Sequence, residues 1–269
     1  MHGDDAFEAA APYFELSEGE FLPGPLTRSP WSPDMLHGRL LAGLAARAVE
    51  QGHAGEVFQV ARLTVDLFRS PPVAPVRVET SLVRDGRRVR TVNCVLWIGG
   101  REVVRAHALL LRRGEQPTGQ VWTEPPWSAP GPEELPPPAP SDEPRGFGAP
   151  ELRMVSPGGF TDHGQKRLWL RERRALVAGE PLSPVARIVM AADLANPLAN
   201  WSDAGLQFIN ADLTVYLVRD AATEWIGLEV AGHLSDAGVA FGHCNLYDIG
   251  GPIGHCSVAA AANPVLLPP

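Results

Sequence analysis

VARLTVDLFR at Val60–Arg69 returns as NADLTVYLVR at Asn210–Arg219. Ala, Leu, Thr, Val, Leu and Arg stand at matching places, 150 residues apart. The segments after each copy also match in kind. A second strand-like segment leads to a D/G turn, an alternating segment holding a cysteine (Cys94, Cys244), a Gly-Gly turn (Gly99-Gly100, Gly250-Gly251) and a last apolar segment. Solenoid repeats run roughly 20–50 residues, so this is a duplicated half-domain. Two such halves are expected to pack as a pseudo-dimer with a site between them.

Upstream of the first copy, ELSEGEFLPG (Glu15–Gly24) alternates like a strand and the breakers of Ser29–Pro33 come next. MLHGRLLAGLAARAVEQG then places Leu36, Leu40, Leu41, Leu44 and Val49 at helical spacing, with Gly52 as the stop. Gln59–Arg69, Val76–Arg84, Val89–Ile98 and Glu102–Leu111 read as four strands, joined in part by hairpin dipeptides. The second copy repeats the order. Arg167–Glu172 is a strand, and Ser183-Pro184 caps a helix over VARIVMAADLANPLANW that Pro197 ends or kinks. Gln207–Val218, Glu224–Leu234, Val239–Tyr247 and Pro252–Ala261 are its four strands. Between the copies proline becomes dense and periodicity stops, the mark of an extended linker, with Trp122 and Trp127 as surface anchors.

One helix wrapped by an antiparallel sheet, twice, is an α+β double hot-dog. Two tandem β-α-β-β-β-β repeats form one continuous antiparallel sheet on two central helices. The expected division is an N-terminal hot-dog over residues 1–113, a proline-rich linker over 114–150 and a C-terminal hot-dog over 151–269. Exposed sheet edges and helix faces make a homo-oligomer the expected state.

Composition narrows the function. The 269 residues carry a net charge of −8 and no basic stripe, which argues against nucleic acid as a partner. No apolar run approaches the roughly 20 residues of a membrane span, and MHGDDAFEAA has no signal pattern. Three cysteines suggest neither a disulfide framework nor a metal site, and Cys94 and Cys244 read as small core residues of a reduced, cytoplasmic protein.

MLHGRLLAGLAARAVE resembles the first-helix pattern (H/N)-G-G-x-L-A-x-L-x-x-R-A of the double hot-dog proteins of the acyl-CoA thioesterase II type. RLTVDLFR with the strands after it resembles that family's first-half sheet, and NADLTVYLVRDAATEWIGLEVAG its second-half strand pair. The resemblance implies hydrolysis of an acyl-CoA, or of an acyl-carrier thioester, in fatty acid metabolism, with no cofactor. In the family an aspartate on the second helix, a Thr, Ser or Asn on the next strand and a Gln on the last strand hold the attacking water. The first two map to Asp193 and Asn210. The glutamine has no counterpart, because its position falls on Val258 or Ala259.

Several residues carry competing readings. Asp193 sits among apolar neighbours, where burial would raise its pKa and sharpen its basicity, or it is a helical cap before Asn196-Pro197. Asn210 has Val60 as its repeat partner, the asymmetry of a single retained site, or it is an edge residue. His37 and Gly38 open the first helix, a place to contact a carbonyl or pantetheine arm, or a cap. His255 lies near the missing glutamine and is a candidate replacement. His233, His243 and His255 lack zinc spacing, so no metal is assigned. Arg69 and Arg219 suit either CoA phosphates or salt bridges at the seam. Thr64 and Thr214 match one another and point to a shared structural role. The alternatives to hydrolysis are a non-catalytic acyl-thioester binder, since the glutamine is gone, and a hot-dog hydratase or dehydratase, for which ADLANPLAN is a poor match lacking the histidine at Ala199.

Overall fold

The computed structural model describes residues 11–123, 127–137 and 150–268. The first ten residues and parts of the proline-dense stretch therefore lie outside the described residues, as does Pro269.

The alternation in ELSEGEFLPG resolves into a hairpin of β1 (Phe14–Ser17) and β2 (Glu20–Pro23), turning at Glu18-Gly19 with φ of 51° and 83°. A short pair, β3 (Arg28–Ser29) and β4 (Ser32–Leu36), leads into α1 (Gly38–Val49). The helix then widens into a π-turn over Glu50–Ala54 and stops at Gly55 (φ 55°), three residues beyond the expected Gly52. Four long strands come next: β5 (Phe58–Leu67), β6 (Arg77–Asp85), β7 (Val89–Ile98) and β8 (Arg101–Arg112). The second half opens with β9 (Glu151–Met154) and β10 (Arg167–Arg171), then α2 (Pro184–Ala192) and α3 (Ala195–Asn200). Its remaining strands are β11 (Trp201–Ser202), β12 (Gly205–Asn210), β13 (Asp212–Leu217), β14 (Trp225–Asp236), β15 (Val239–Asp248) and β16 (Gly251–Leu267).

The main sheet has the order β6-β7-β8-β5-β13-β16-β15-β14-β10-β9, with β12 also pairing to β16. Its midpoint is the repeated motif paired with itself. β5 and β13 run antiparallel with Asp66 opposite Asp212, Thr64 opposite Thr214 and Arg62 opposite Tyr216. The hydroxyls of Thr64 and Thr214 hydrogen-bond at 3.2 Å, which puts the pseudo-twofold axis between two equivalent residues. Both threonines have the structural role that their equivalence implies.

Both helices pack on the same sheet face. Leu40, Leu41, Leu44 and Val49 of α1 join Leu63, Val65, Val92, Leu96 and Leu110 in one core with Val185, Ile188 and Val189 of α2 and Leu213, Val215 and Ile226 beneath them. Cys94 and Cys244 are fully buried there, as core residues. The helices cross at Gly43, where a Cβ would stand 2.7 Å from Met190 Cγ, so only glycine lets them approach this closely.

The second helix breaks earlier than expected. Proline cannot donate its amide, and its ring crowds the carbonyl four residues back. Pro197 therefore acts on Asp193, and the chain leaves α2 at Asp193-Leu194 before resuming as α3. The segment Gln207–Val218 likewise divides at Ala211, between β12 and β13.

Part of the linker region is docked on the outer face of the second half. Trp127 lies 4.8 Å, centroid to centroid, from both Trp169 and Tyr247 and stands where Gly227 has no side chain. Trp169 Nε1 donates to the Pro130 carbonyl (2.9 Å), Trp225 Nε1 to Glu133 (3.2 Å) and Arg153 to the Pro132 carbonyl (2.6 Å). Trp127 is an anchor. Trp122 is not, being 79% exposed.

Gly254 on β16 faces Leu217 across the ladder beside the seam, and a Cβ there would run into the Tyr216 carbonyl oxygen. Gly254→Ala should lower the unfolding free energy by on the order of 2 kcal/mol or more, because the clash is with backbone rather than a movable side chain. Urea denaturation of the two proteins measures it; an unchanged midpoint would show that the ladder relaxes freely there.

Candidate active site

The register of the seam brings the start of β13 beside the end of β5, and both beside the start of α1. A cavity of about 270 Å³ opens there, lined by Trp31, Met35 and Leu36, by His37 and Gly38 at the helix start, by Leu67–Pro71, by Ile209–Ala211 and by Ala261. It lies between the halves, as the duplication implies.

Asn210 Nδ2 donates to Asp193 Oδ1 at 3.0 Å. The break imposed by Pro197 leaves Asp193 as the C-terminal cap of α2, buried, with its second oxygen 4.0 Å from His37 Nδ1. About a tenth of each side chain stays exposed, 9% for His37 and 10% for Asp193, so solvent reaches their edge. Asp193 is not itself in the cavity wall; it stands behind Asn210 and His37. Burial pushes its carboxyl up from the usual aspartate value, while the Asn210 hydrogen bond and the Arg39 charge pull it back.

His37 is the N-cap of α1. Its Nδ1 accepts from the Arg39 amide (3.3 Å), which places the ring proton on Nε2. Burial, and then the neighbouring Arg39, hold its pKa down to about 3, so the imidazole is neutral near pH 7. A Cβ at Gly38 would stand 3.1 Å from Leu67 Cδ1, so a larger residue there requires that side chain to give way.

The other expected candidates fall elsewhere. His255 does not join the site. On β16 it points away from the helices, is exposed, and has its ring 6.4 Å from Tyr216, because strand alternation sends it to the face opposite buried Cys256. Of the two positions considered for the missing glutamine, Val258 faces inward and Ala259 outward. Ala260, directly opposite Asn210, is the other inward residue at this level. Both inward positions are apolar. Arg219 is fastened to Asp248 by two 2.6 Å bonds within the second half rather than across the seam, whereas Arg69 lies at the mouth of the cavity. Asn196, from the hydratase-like stretch, is used structurally: it donates to the Phe208 carbonyl (2.9 Å) and accepts from Asn200 (2.8 Å). His233 meets the same Asn200 at 2.8 Å.

Family models for acyl-CoA thioesterases match both halves, the N-terminal domain over residues 27–111 and the C-terminal domain over residues 131–257. The chain belongs to the acyl-CoA thioesterase family. The fold of this thioesterase-family chain is that of solved double hot-dog proteins. It is similar to a candidate thioesterase from Novosphingobium aromaticivorans (20% identity, 94% of this chain and 100% of that one, TM-score 0.69). It is also similar to a hot-dog protein of unknown function from Alicyclobacillus acidocaldarius (16%, 94% and 96%, 0.70) and to an acyl-CoA thioesterase II from Mycobacterium marinum (18%, 93% and 94%, 0.60). A comparison with curated proteins finds no match. Among the described residues, no helix is long and apolar enough to cross a membrane.

Three groups near the site have no forewarning in the sequence reading. Trp31 closes one wall of the cavity, and Arg39 with Glu172 forms a fully buried ion pair behind the start of α1 (2.7 Å). The visible signal for Arg39 is a charged residue in place of the second glycine of the family's H-G-G.

A neutral buried histidine has a consequence for stability. The folded state binds no proton at His37 between about pH 3 and 6.5, where the unfolded chain does. Stability from this group is therefore complete above pH 6.5 and falls as pH drops, by about 1.4 kcal/mol per pH unit. His37→Ser keeps a capping hydroxyl and should flatten this dependence. Urea midpoints at pH 7 and pH 5 measure it; equal slopes in the two proteins would mean that His37 titrates normally.

Proposed function

We propose that this protein hydrolyses an acyl-CoA, or another acyl thioester, to a free acid and a thiol by attack of a water that Asp193 and Asn210 orient. The observation that carries this reading is the 3.0 Å bond between those two side chains beside the His37-Gly38 start of α1. Asp193 Oδ1 is committed to Asn210, which leaves Oδ2, on the His37 side, to take a proton from water. A buried carboxylate with a raised pKa is a stronger base than one in solvent. The thioester carbonyl fits against Gly38 and the Asn210 amide, where first-turn dipoles stabilise the developing oxyanion. Collapse of the tetrahedral intermediate expels the thiolate, which recovers the proton from Asp193. The family's glutamine is replaced on this surface by apolar Val258 and Ala260, and neutral His37, from the other half, lies 4.0 Å from Asp193 Oδ2.

That replacement also favours a second reading, an acyl-thioester binder without turnover. One assay separates the two. Thiol release from a panel of acyl-CoAs, followed with a thiol reagent, should be robust in the native protein and fall on the order of 10²–10⁴-fold in Asp193→Asn and Asn210→Ala. His255→Ala should stay within about twofold, since an outward residue touches nothing reactive. An intact panel together with thermal stabilisation by CoA would establish the binder instead.

A further inference from the structure

Arg39 is the second residue of α1, and its side chain is completely buried. Its Nη1 donates to Glu172 Oε2 (2.7 Å) and its Nη2 to the Tyr13 hydroxyl (3.0 Å). Tyr13 in turn donates to both Glu172 oxygens (3.2 and 3.3 Å), and Glu172 Oε1 accepts the amides of Arg173 (3.0 Å) and Arg174 (3.1 Å). The arrangement draws on the segment before β1, the start of α1 and the residue after β10.

Stability is a poor reason for it. A buried ion pair is often no better than apolar packing of the same volume, and a cation in the first turn of a helix opposes the macrodipole. What distinguishes this cation is its position. Its own amide donates to His37 Nδ1, and His37 Nδ1 lies 4.0 Å from Asp193. Around the start of α1 the buried charged side chains are thus Arg39, its partner Glu172 and Asp193, with His37 touching both Arg39 and Asp193.

We propose that the Arg39–Glu172 pair is a positioning device for the hydrolytic site: it keeps Asp193 as the proton acceptor and His37 as a neutral neighbour. This rests on the hydrolytic reading above. α1 sets His37 and Arg39 near the Asp193 carboxyl and β12 the neutral Asn210, while Asn196 of α3 meets Asp193 through a backbone hydrogen bond and the Cys256 thiol of β16 contacts the neighbouring Ala192 carbonyl (3.8 Å). Tyr13 and Glu172 act through Arg39. Arg39 is the only permanent cation in that set. Its field favours the Asp193 carboxylate against burial and opposes a second positive charge on His37. Glu172 cancels part of that field.

The two ends of the pair should therefore have opposite effects. Arg39→Met leaves two buried carboxylates without a cation. It should raise the Asp193 titration midpoint by about one pH unit or more and move the acidic limb of kcat/KM up with it. Glu172→Gln unmasks Arg39 and should move both downward. Damage to packing would lower Tm and activity in both variants without separating the limbs. The experiment is a carboxyl ¹³C NMR titration of Asp193, assigned with Asp193→Asn, alongside pH–rate profiles of the full chain. If Arg39→Met does not fold, Arg39→Met/Glu172→Met removes both charges together and should still raise the Asp193 midpoint, because Arg39 bears on Asp193 more strongly than Glu172 does. Shifts in the same direction for both single variants, or an unmoved Asp193 titration, overturn the proposal. A moved titration with an unmoved rate profile would instead overturn Asp193 as the base.

Discussion

The fold depends on one pairing, the repeated motif laid antiparallel against itself. Because Thr64 meets Thr214, the pairs on either side mirror one another, Leu63 with Val215 and Val65 with Leu213. A one-residue slip would turn Leu63, Val65, Leu213 and Val215 out of the core. The hydrophobic pattern thus enforces a register whose symmetry then places everything else. The two helices share a face, the end of each central strand abuts the start of the other, and a crevice must form twice.

Only one of those crevices carries the Asp193, Asn210 and His37 side chains together. Aligning the helices at their caps sets Ser183-Pro184 where the first crevice has His37-Gly38, and Arg47 where it has Asp193. Val60 stands in place of Asn210. Arg47 is held by Glu180 through bonds of 2.7 and 2.6 Å, and Glu50 lies near the first turn of α2 in a cavity of about 260 Å³ lined also by Val60 and Val185. A proline at the start of α2 supplies no amide, and a carboxylate already lies nearby. The Asp193–Asn210–His37 group stands where the helix start is open, and the equivalent place in the other half is occupied by Pro184 and Glu50.

Much of this is legible in the sequence. The duplication, the α+β class, the main sheet and most strands come from motif order, whereas the Asp193–Asn210 pair comes from the resemblance to the acyl-CoA thioesterase family. The misses have physical causes. Sequence alone points to Pro197 as the helix break, yet a proline's steric effect is felt four residues upstream. Proximity along a strand draws His255 towards the site, but it says nothing about which face a side chain takes until the register is known. Arg39 and Glu172 lie 133 residues apart, and Tyr13 reaches them from a third segment. No local pattern announces a charge that will be buried by partners so distant.

Trp127 lies in the space that a side chain at position 227 would need. The crossing between halves is consequently part of the second half's surface from Trp127 to Leu135, and it is not a plain tether there. An inserted residue between Trp127 and Leu135 would have to break the contacts that hold this stretch down. The stretch is a fitted cover over the aromatic cluster of the second half.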